Sequence, residues 1–219
     1  MDLYAEPYKP WQPVLCFDER PCQLVGDVLE PLPRQPGRAK RVDYEYERQG
    51  VCNAFMLLQP LAGWREVKVT ERRTKRDFAY IMRDVVDVYF PHAEIIRVVL
   101  DNLNTHSPAT LYEVFPPEEA RRLVSKLEFH YTPKHASWLN MAEIEFSVMV
   151  GQCLKQRIPD RTTLTTELTA YTRQRNDAKA IVRWQFDVQQ ARTKLGRLYP
   201  QLSLSLIHIS EPTRRTPIS

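Results

Sequence analysis

Glu94-Ile-Ile-Arg-Val-Val-Leu-Asp101-Asn-Leu-Asn-Thr-His106-Ser-Pro108 is the stretch on which the fold turns. Ile95, Ile96, Val98 and Val99 are β-branched and read as a strand, which stops at Asp101. Ser107 followed by Pro108 reads as a helix cap and first helical residue, because the first turn leaves its N–H groups unpaired and Pro has none to lose. Upstream, Phe78, Ile81, Met82, Val85, Val86 and Tyr89 recur at helical spacing, with Asp77, Arg83, Asp84 and Asp87 on the other face and Pro91 as a stop. A helix, a strand ending in a carboxylate and a second helix are parts of a βαβ arrangement.

Working outward, Val14-Leu-Cys-Phe-Asp18-Glu19 is an apolar run ending in two carboxylates, set between Pro13 and Pro21, and reads as a short buried strand. Val51 to Leu61 is a second apolar run, and Arg65-Glu-Val-Lys-Val-Thr alternates as a strand with one exposed face does. Together the three predict an antiparallel meander. After Pro108, Leu111, Tyr112, Ala120, Leu123, Val124 and Leu127 keep helical spacing across an interruption at Pro116-Pro117. Leu127-Glu-Phe-His-Tyr predicts another strand, Thr132 to Trp138 a loop, Met141 to Gln156 a well-buried helix, and 163–180 a further helix. An antiparallel triplet leading into βαβ units predicts an α/β fold, a mixed β-sheet flanked by helices.

The 219 residues are 43% hydrophobic with a net charge of only +4, which builds one substantial core and excludes global disorder. Pro (17) outnumbers Gly (6), which excludes collagen-like and Gly/Ser-linker readings. The longest uncharged apolar run, 51–64, contains Gln59 and Pro60 and falls short of the roughly 20 residues a membrane span needs. The first residues show no basic region leading into an apolar run, so no secretory signal is expected. Cys16, Cys22, Cys52 and Cys153 form no CxxC pair and sit in or beside apolar segments, which favours reduced, buried thiols and a cytoplasmic home.

Asp18, Asp101 and Glu143 stand at the ends of two predicted strands and in the first turn of a late helix. Carboxylates at strand ends converge at a sheet edge, and a few of them around an open cleft suit hard divalent cations that keep several waters. Each residue also has a plainer reading. Asp18 and Asp101 fit turn or cap positions, and Asn140-Met-Ala-Glu143 has the spacing of a capping-box variant.

Asp101-Asn-Leu-Asn-Thr-His106 and Tyr131-Thr-Pro-Lys-His-Ala-Ser-Trp-Leu-Asn-Met-Ala-Glu143 resemble the second and third catalytic motifs of the insertion sequence 630 family of bacterial transposases, relatives of mariner-type elements. Leu15-Cys-Phe-Asp18-Glu19 resembles the first, and Pro36-Gly-Arg-Ala-Lys-Arg-Val-Asp-Tyr-Glu-Tyr is similar to that family too. The resemblance runs from about residue 10 to Gln201 and implies a ribonuclease H-like fold with a catalytic, metal-holding triad of Asp18, Asp101 and Glu143. Glu145 competes for the third place. Two residues along a helix rotate a side chain through about 200°, so the two glutamates cannot share one site, and the Leu-Asn-x-x-Glu register favours Glu143. Between Asp101 and Glu143, 41 residues intervene, more than is common in mariner-type relatives, an excess assigned to Phe115-Pro-Pro-Glu-Glu.

The resemblance implies Mg²⁺, with Mn²⁺ as substitute, as two ions that activate water to cut a transposon end and then activate the freed 3′-hydroxyl to attack target DNA. Glu19, Asn102, Asn104, His106 and Asn140 are candidates for shaping the metal surroundings, and His106 also fits a cap-region role. Basic residues cluster as Arg34, Arg38, Lys40 and Arg41 in one loop, then Arg65, Lys68, Arg72, Arg73, Lys75 and Arg76, with Lys134 and His135 in the third motif. They read as phosphate contacts or as a solvated charged face. His130 and His135 each fit a structural role better than an approach to DNA, and Trp138 fits packing better than base stacking.

Residues 1–202 are expected to form the catalytic domain. The resemblance implies that full-length transposases of this kind carry an amino-terminal helix-turn-helix region, so recognition of the terminal repeats is expected to be weak or absent unless a separate polypeptide supplies it, and two DNA ends imply a homo-oligomer. Residues 203–219 resemble the conceptual translation of a sequencing adapter and are expected to be disordered. Two rival functions stay open. One is hydrolysis alone, as in a nuclease; the other is an inactive DNA-binding remnant. The compartment implied is a bacterial cytoplasm, at the nucleoid.

Overall fold

Three apolar runs pair into an antiparallel ladder: β1 (Val14–Asp27), β2 (Tyr46–Gln59) and β3 (Trp64–Thr70). The structure, a computed structural model, describes residues 2–29, 35–37, 43–134, 136–184, 190 and 193. Parallel strands β4 (Ile96–Leu100) and β5 (Leu127–Tyr131) add to the other side of β1, giving the order β3-β2-β1-β4-β5. The helices are α1 (Asp2–Ala5), α2 (Lys75–Asp84), α3 (Pro108–Val114), α4 (Pro117–Val124), α5 (Met141–Cys153) and α6 (Arg161–Asp177). The expected mixed α/β sheet is therefore present, with the interruption at Pro116-Pro117 separating α3 from α4.

Strand alternation sorts the core into two layers. Leu15 and Phe17 of β1, with Phe55, Leu57, Ile96, Val98 and Leu100, face α2, α3 and α4 through Phe78, Met82, Leu111 and Leu123. Cys16 of β1, with Ala54, Met56, Leu58 and Val99, faces α5 and α6 through Met141, Phe146, Met149, Leu164 and Tyr171. Asp18 thus points to the α5 layer and Glu19 to the α2 layer.

Three local readings change. Pro21 does not end β1, which continues to Asp27. Its parallel pairing with β4 stops at Cys16, so Pro21 lies where β1 has only β2 beside it and a missing N–H breaks no second ladder. The helix expected to reach Tyr89 widens into a π-helical turn, Val85–Tyr89, still with Val85 and Val86 buried. Helix α5 buries one side, while Ile144 remains 44% exposed. Thr74 opens α2 with a capping box, its hydroxyl accepting from the Asp77 N–H and the Asp77 carboxylate accepting from the Thr74 N–H.

The described residues up to Trp184 form one compact unit. The expected boundary at residue 202 and the tail 203–219 lie outside the described residues. All four cysteines are free, three of them buried. Among the described residues no helix is long and apolar enough to cross a membrane.

Candidate active site

Asp18 emerges midway along β1 on the α5 layer, where the parallel pairing with β4 has just ended. Asp101 follows the last residue of β4, in the register of Val99, which faces the same layer. Glu143 lies in the first turn of α5. Burial, then repulsion from Asp101, Glu143 and Glu19, drives the Asp18 carboxyl up to about 7, against a bond from the Glu19 N–H. Asp101 and Glu143 are therefore both near enough to Asp18 to act on its carboxyl.

Asn140 sets the position of α5. Its side-chain oxygen accepts from the Ala142 N–H at 3.1 Å, capping the helix, while its Nδ2 donates to the Phe17 carbonyl at 2.7 Å, one residue before Asp18. The capping-box reading of Glu143 falls, because the Asn140 N–H donates to the Ser137 carbonyl instead. We expect Asn140→Ala to lose about 2–3 kcal/mol in urea unfolding, since it removes the cap and leaves a buried carbonyl unpaired. Asn140→Asp keeps the capping acceptor but turns a buried oxygen towards the Phe17 carbonyl, so it should not rescue the loss.

Glu145 points the other way. Its side chain is 0% exposed and lies 2.9 Å from Arg65 Nε, also 0% exposed, and 3.0 Å from Arg175 Nη2, while Tyr171 donates its hydroxyl to it at 2.6 Å. Arg65, counted by sequence among the phosphate contacts, is therefore a core residue. Helix α6 covers the β3 face, Asn176 brackets the Arg65 backbone with two hydrogen bonds, and Arg65 Nη2 donates to the Ala180 carbonyl.

His106 is 1% exposed, not a surface cap residue. Its Nδ1 lies 2.6 Å from Asp101 Oδ1 and its Nε2 2.9 Å from Glu19 Oε2, the second contact being close but outside hydrogen-bond alignment. Burial opposes the charged ring, yet the two carboxylates beside it raise its pKa to about 9.

Other candidates separate. Asn102 and Asn104 are exposed, and Lys134 lies with Asp101, Asn102, Leu103, Thr132 and Ser137 around an open cleft of about 610 Å³. Arg72 and Arg73 are exposed; Lys75 pairs with Glu113 at 2.7 Å, Lys68 with Asp84 at 3.6 Å, and Arg76 lies over the Tyr80 ring. Arg34, Arg38, Lys40, Arg41 and His135 lie outside the described residues. His130 contacts Glu128 at 2.6 Å, and Trp138 stacks on Trp184. Sequence reasoning missed the role of Arg65, and one signal was available: a carboxylate at 145 inside an otherwise apolar helix demands a buried cation.

Among the described residues no three Asp, Glu, His or Cys side chains converge closely enough to hold an ion as they stand. The donor chemistry nevertheless fits a hard divalent cation: three carboxylates and no thiolate, with mutual repulsion on Asp18 that a cation would relieve.

Residues 13–165 match the family model described as DDE superfamily endonuclease. No curated protein matches the chain. Among solved structures it is similar to the Mos1 transposase paired-end complex with left transposon end, at a TM-score of 0.52 and 11% identity over 74% of this chain and 48% of that one. It is equally similar to the Mos1 mariner paired end complex with Mn (0.52, 12% identity, 77% and 50%) and to the Mos1 strand transfer complex (0.52, 9%, 74% and 48%). At such identities the likeness is one of fold, and the five-stranded mixed sheet with its flanking helices is ribonuclease H-like, as expected. The chain spans about half the length of the transposase chains it resembles.

Proposed function

The chain belongs to the DDE superfamily endonuclease family, and from that premise we propose that it is a transposase catalytic domain of the insertion sequence 630 kind, cutting transposon ends and joining them to target DNA. What supports this reading is the placing of Asp18 on β1, Asp101 directly after its parallel neighbour β4, and Glu143 on the helix that Asn140 ties to β1 beside Asp18, with Asp101 and Glu143 both acting on the Asp18 carboxyl. In it, these three residues are the catalytic carboxylates and would hold Mg²⁺ or Mn²⁺, as two ions. Bound there, the ions supply polarisation of the attacking oxygen and charge neutralisation at the scissile phosphate.

The chain's own contribution is rigid placement. Asp18 stands on β1, Asp101 directly follows the neighbouring strand β4, and Glu143 rides on a helix tied to β1 through Asn140. Positioning of this kind supplies much of the rate in phosphoryl transfer, where no covalent protein intermediate is needed. In this reading Lys134, at the cleft beside Asp101, and the exposed Arg72 and Arg73 would contact backbone phosphates. The partners in this reading are duplex DNA, a second copy of the chain and a separate helix-turn-helix polypeptide for end recognition, in a bacterial cytoplasm.

The test is Mg²⁺- or Mn²⁺-dependent nicking of supercoiled DNA, followed by joining of a pre-cut end, with Asp101→Ala as control. Nicking and joining that both vanish in the control support the proposal. Nicking without joining leaves a hydrolytic nuclease, and binding without nicking by well-folded protein leaves an inactive remnant.

A further inference from the structure

Glu19 and His106 form a buried polar pair on the side of the sheet away from Glu143. Glu19 is 4% exposed at its side chain and follows Asp18 directly, so strand alternation turns it into the α2 layer. There the His106 ring packs edge-on against Phe17, with centroids 5.2 Å apart, and against Phe78 at 5.0 Å. An apolar pair would fill this space without the desolvation of a carboxylate and an imidazole. What the polar pair adds is direction.

Asp101 lacks that direction on its own, being one residue past the end of β4. His106 lacks no restraint. Its N–H donates to the Leu103 carbonyl at 2.9 Å, its carbonyl accepts from the Tyr131 hydroxyl at 2.8 Å, its ring lies against two phenylalanines, and Nε2 meets Glu19. Its remaining donor, Nδ1, reaches Asp101 Oδ1 at 2.6 Å and leaves Oδ2 as the free donor atom.

We propose that His106, anchored by Glu19, is a positioning residue that fixes the Asp101 carboxylate by one oxygen so that the other is presented to a divalent cation. This rests on the reading of Asp101 as a metal ligand. Glu19 and His106 touch no substrate in it, and they act through Asp101 alone.

The experiment measures Mn²⁺ affinity of the full chain by electron paramagnetic resonance and thermal unfolding without metal, for five proteins: native, Asp101→Asn, His106→Asn, His106→Gln and Glu19→Gln. The amide of Asn falls where Nδ1 lies and can still donate to Asp101, whereas the amide of Gln falls near Nε2 and can meet only Glu19. Loss of a group that orients a ligand typically weakens metal binding roughly 10–100-fold, which is the loss expected for His106→Gln, with His106→Asn staying within about threefold of native. Glu19→Gln keeps the shape of the anchor and should fall between them.

A purely structural histidine would give the opposite pattern, both substitutions lowering the melting temperature while Mn²⁺ affinity stays unchanged or falls equally. Either result overturns the proposal. The parent reading is tested separately by native protein against Asp101→Asn. If that pair shows no difference in Mn²⁺ binding, Asp101 is not a ligand, and both the parent reading and the positioning role fail.

Discussion

Glu145→Ala should remove about 3–5 kcal/mol of stability, the usual consequence of stranding one member of a buried ion pair. Arg65 and Glu145 are both wholly buried, and Asn176 of α6 holds the Arg65 backbone by two hydrogen bonds, so α6 covers the guanidinium. Domains are stable by only about 5–15 kcal/mol, so this one substitution threatens the fold. Urea unfolding of Glu145→Ala beside Glu143→Gln makes the comparison. The second variant, two residues away on the opposite side of α5, should unfold within about 0.5 kcal/mol of native, as exposed or half-exposed positions do. A double replacement, Glu145→Leu with Arg65→Leu, should recover most of the loss, because an apolar pair removes the stranded charge; Arg175, 22% exposed at its side chain, can still reach water. Equal stability for Glu145→Ala and native protein would show that Arg65 is not held in the core.

Asp18→Asn should abolish metal-dependent cleavage and at the same time make the metal-free protein more stable at neutral pH. The carboxyl of Asp18 is raised to about 7 in the folded chain, first by burial and then by Asp101, Glu143 and Glu19, against an ordinary value of 3.8. Between those two values the folded state binds a proton that the unfolded chain has lost, so stability falls as pH rises from about 4 to 7 and then levels off. The full shift corresponds to roughly 4 kcal/mol, and partial exposure together with coupling among the carboxylates reduces it to about 2–3 kcal/mol. Asp18→Asn should flatten that slope in unfolding measurements across pH, and added Mg²⁺ should flatten it in the native protein. A native chain with no such slope would remove the electrostatic basis for placing a cation beside Asp18.

Which parts of this were legible in the chain follows from how local each was. The helix 75–84, the strand ending before Asp101, the break at Pro116-Pro117 and the start of α5 at Asn140 are set by residues within a few positions of one another, through periodicity, capping and missing N–H groups. The opposite directions of Glu143 and Glu145 are likewise a matter of helical rotation, and they lie as that rotation requires. Pro21 misled because its effect depends on which neighbour strand runs beside it, and β4 has already parted from β1 there.

Long-range pairing decided the rest. Local pattern was enough for the element order, the α/β class, Asp101 at the end of a strand and Glu143 in a first helical turn, whereas Asp18, expected at a strand end, lies inside a β1 that runs on to Asp27. That pattern could not decide which charged groups are buried. Arg65, Glu145 and Arg175 come from β3, α5 and α6, and only the packing of α6 over the edge of the sheet makes an alternating strand's arginine into a core cation. Glu19 and Asp101 are likewise far apart in the chain, and His106 joins them only because β1 and β4 pair in parallel. Burial of an ionic group is a property of the surroundings that tertiary structure brings to it, and a local pattern of residues carries no record of those surroundings.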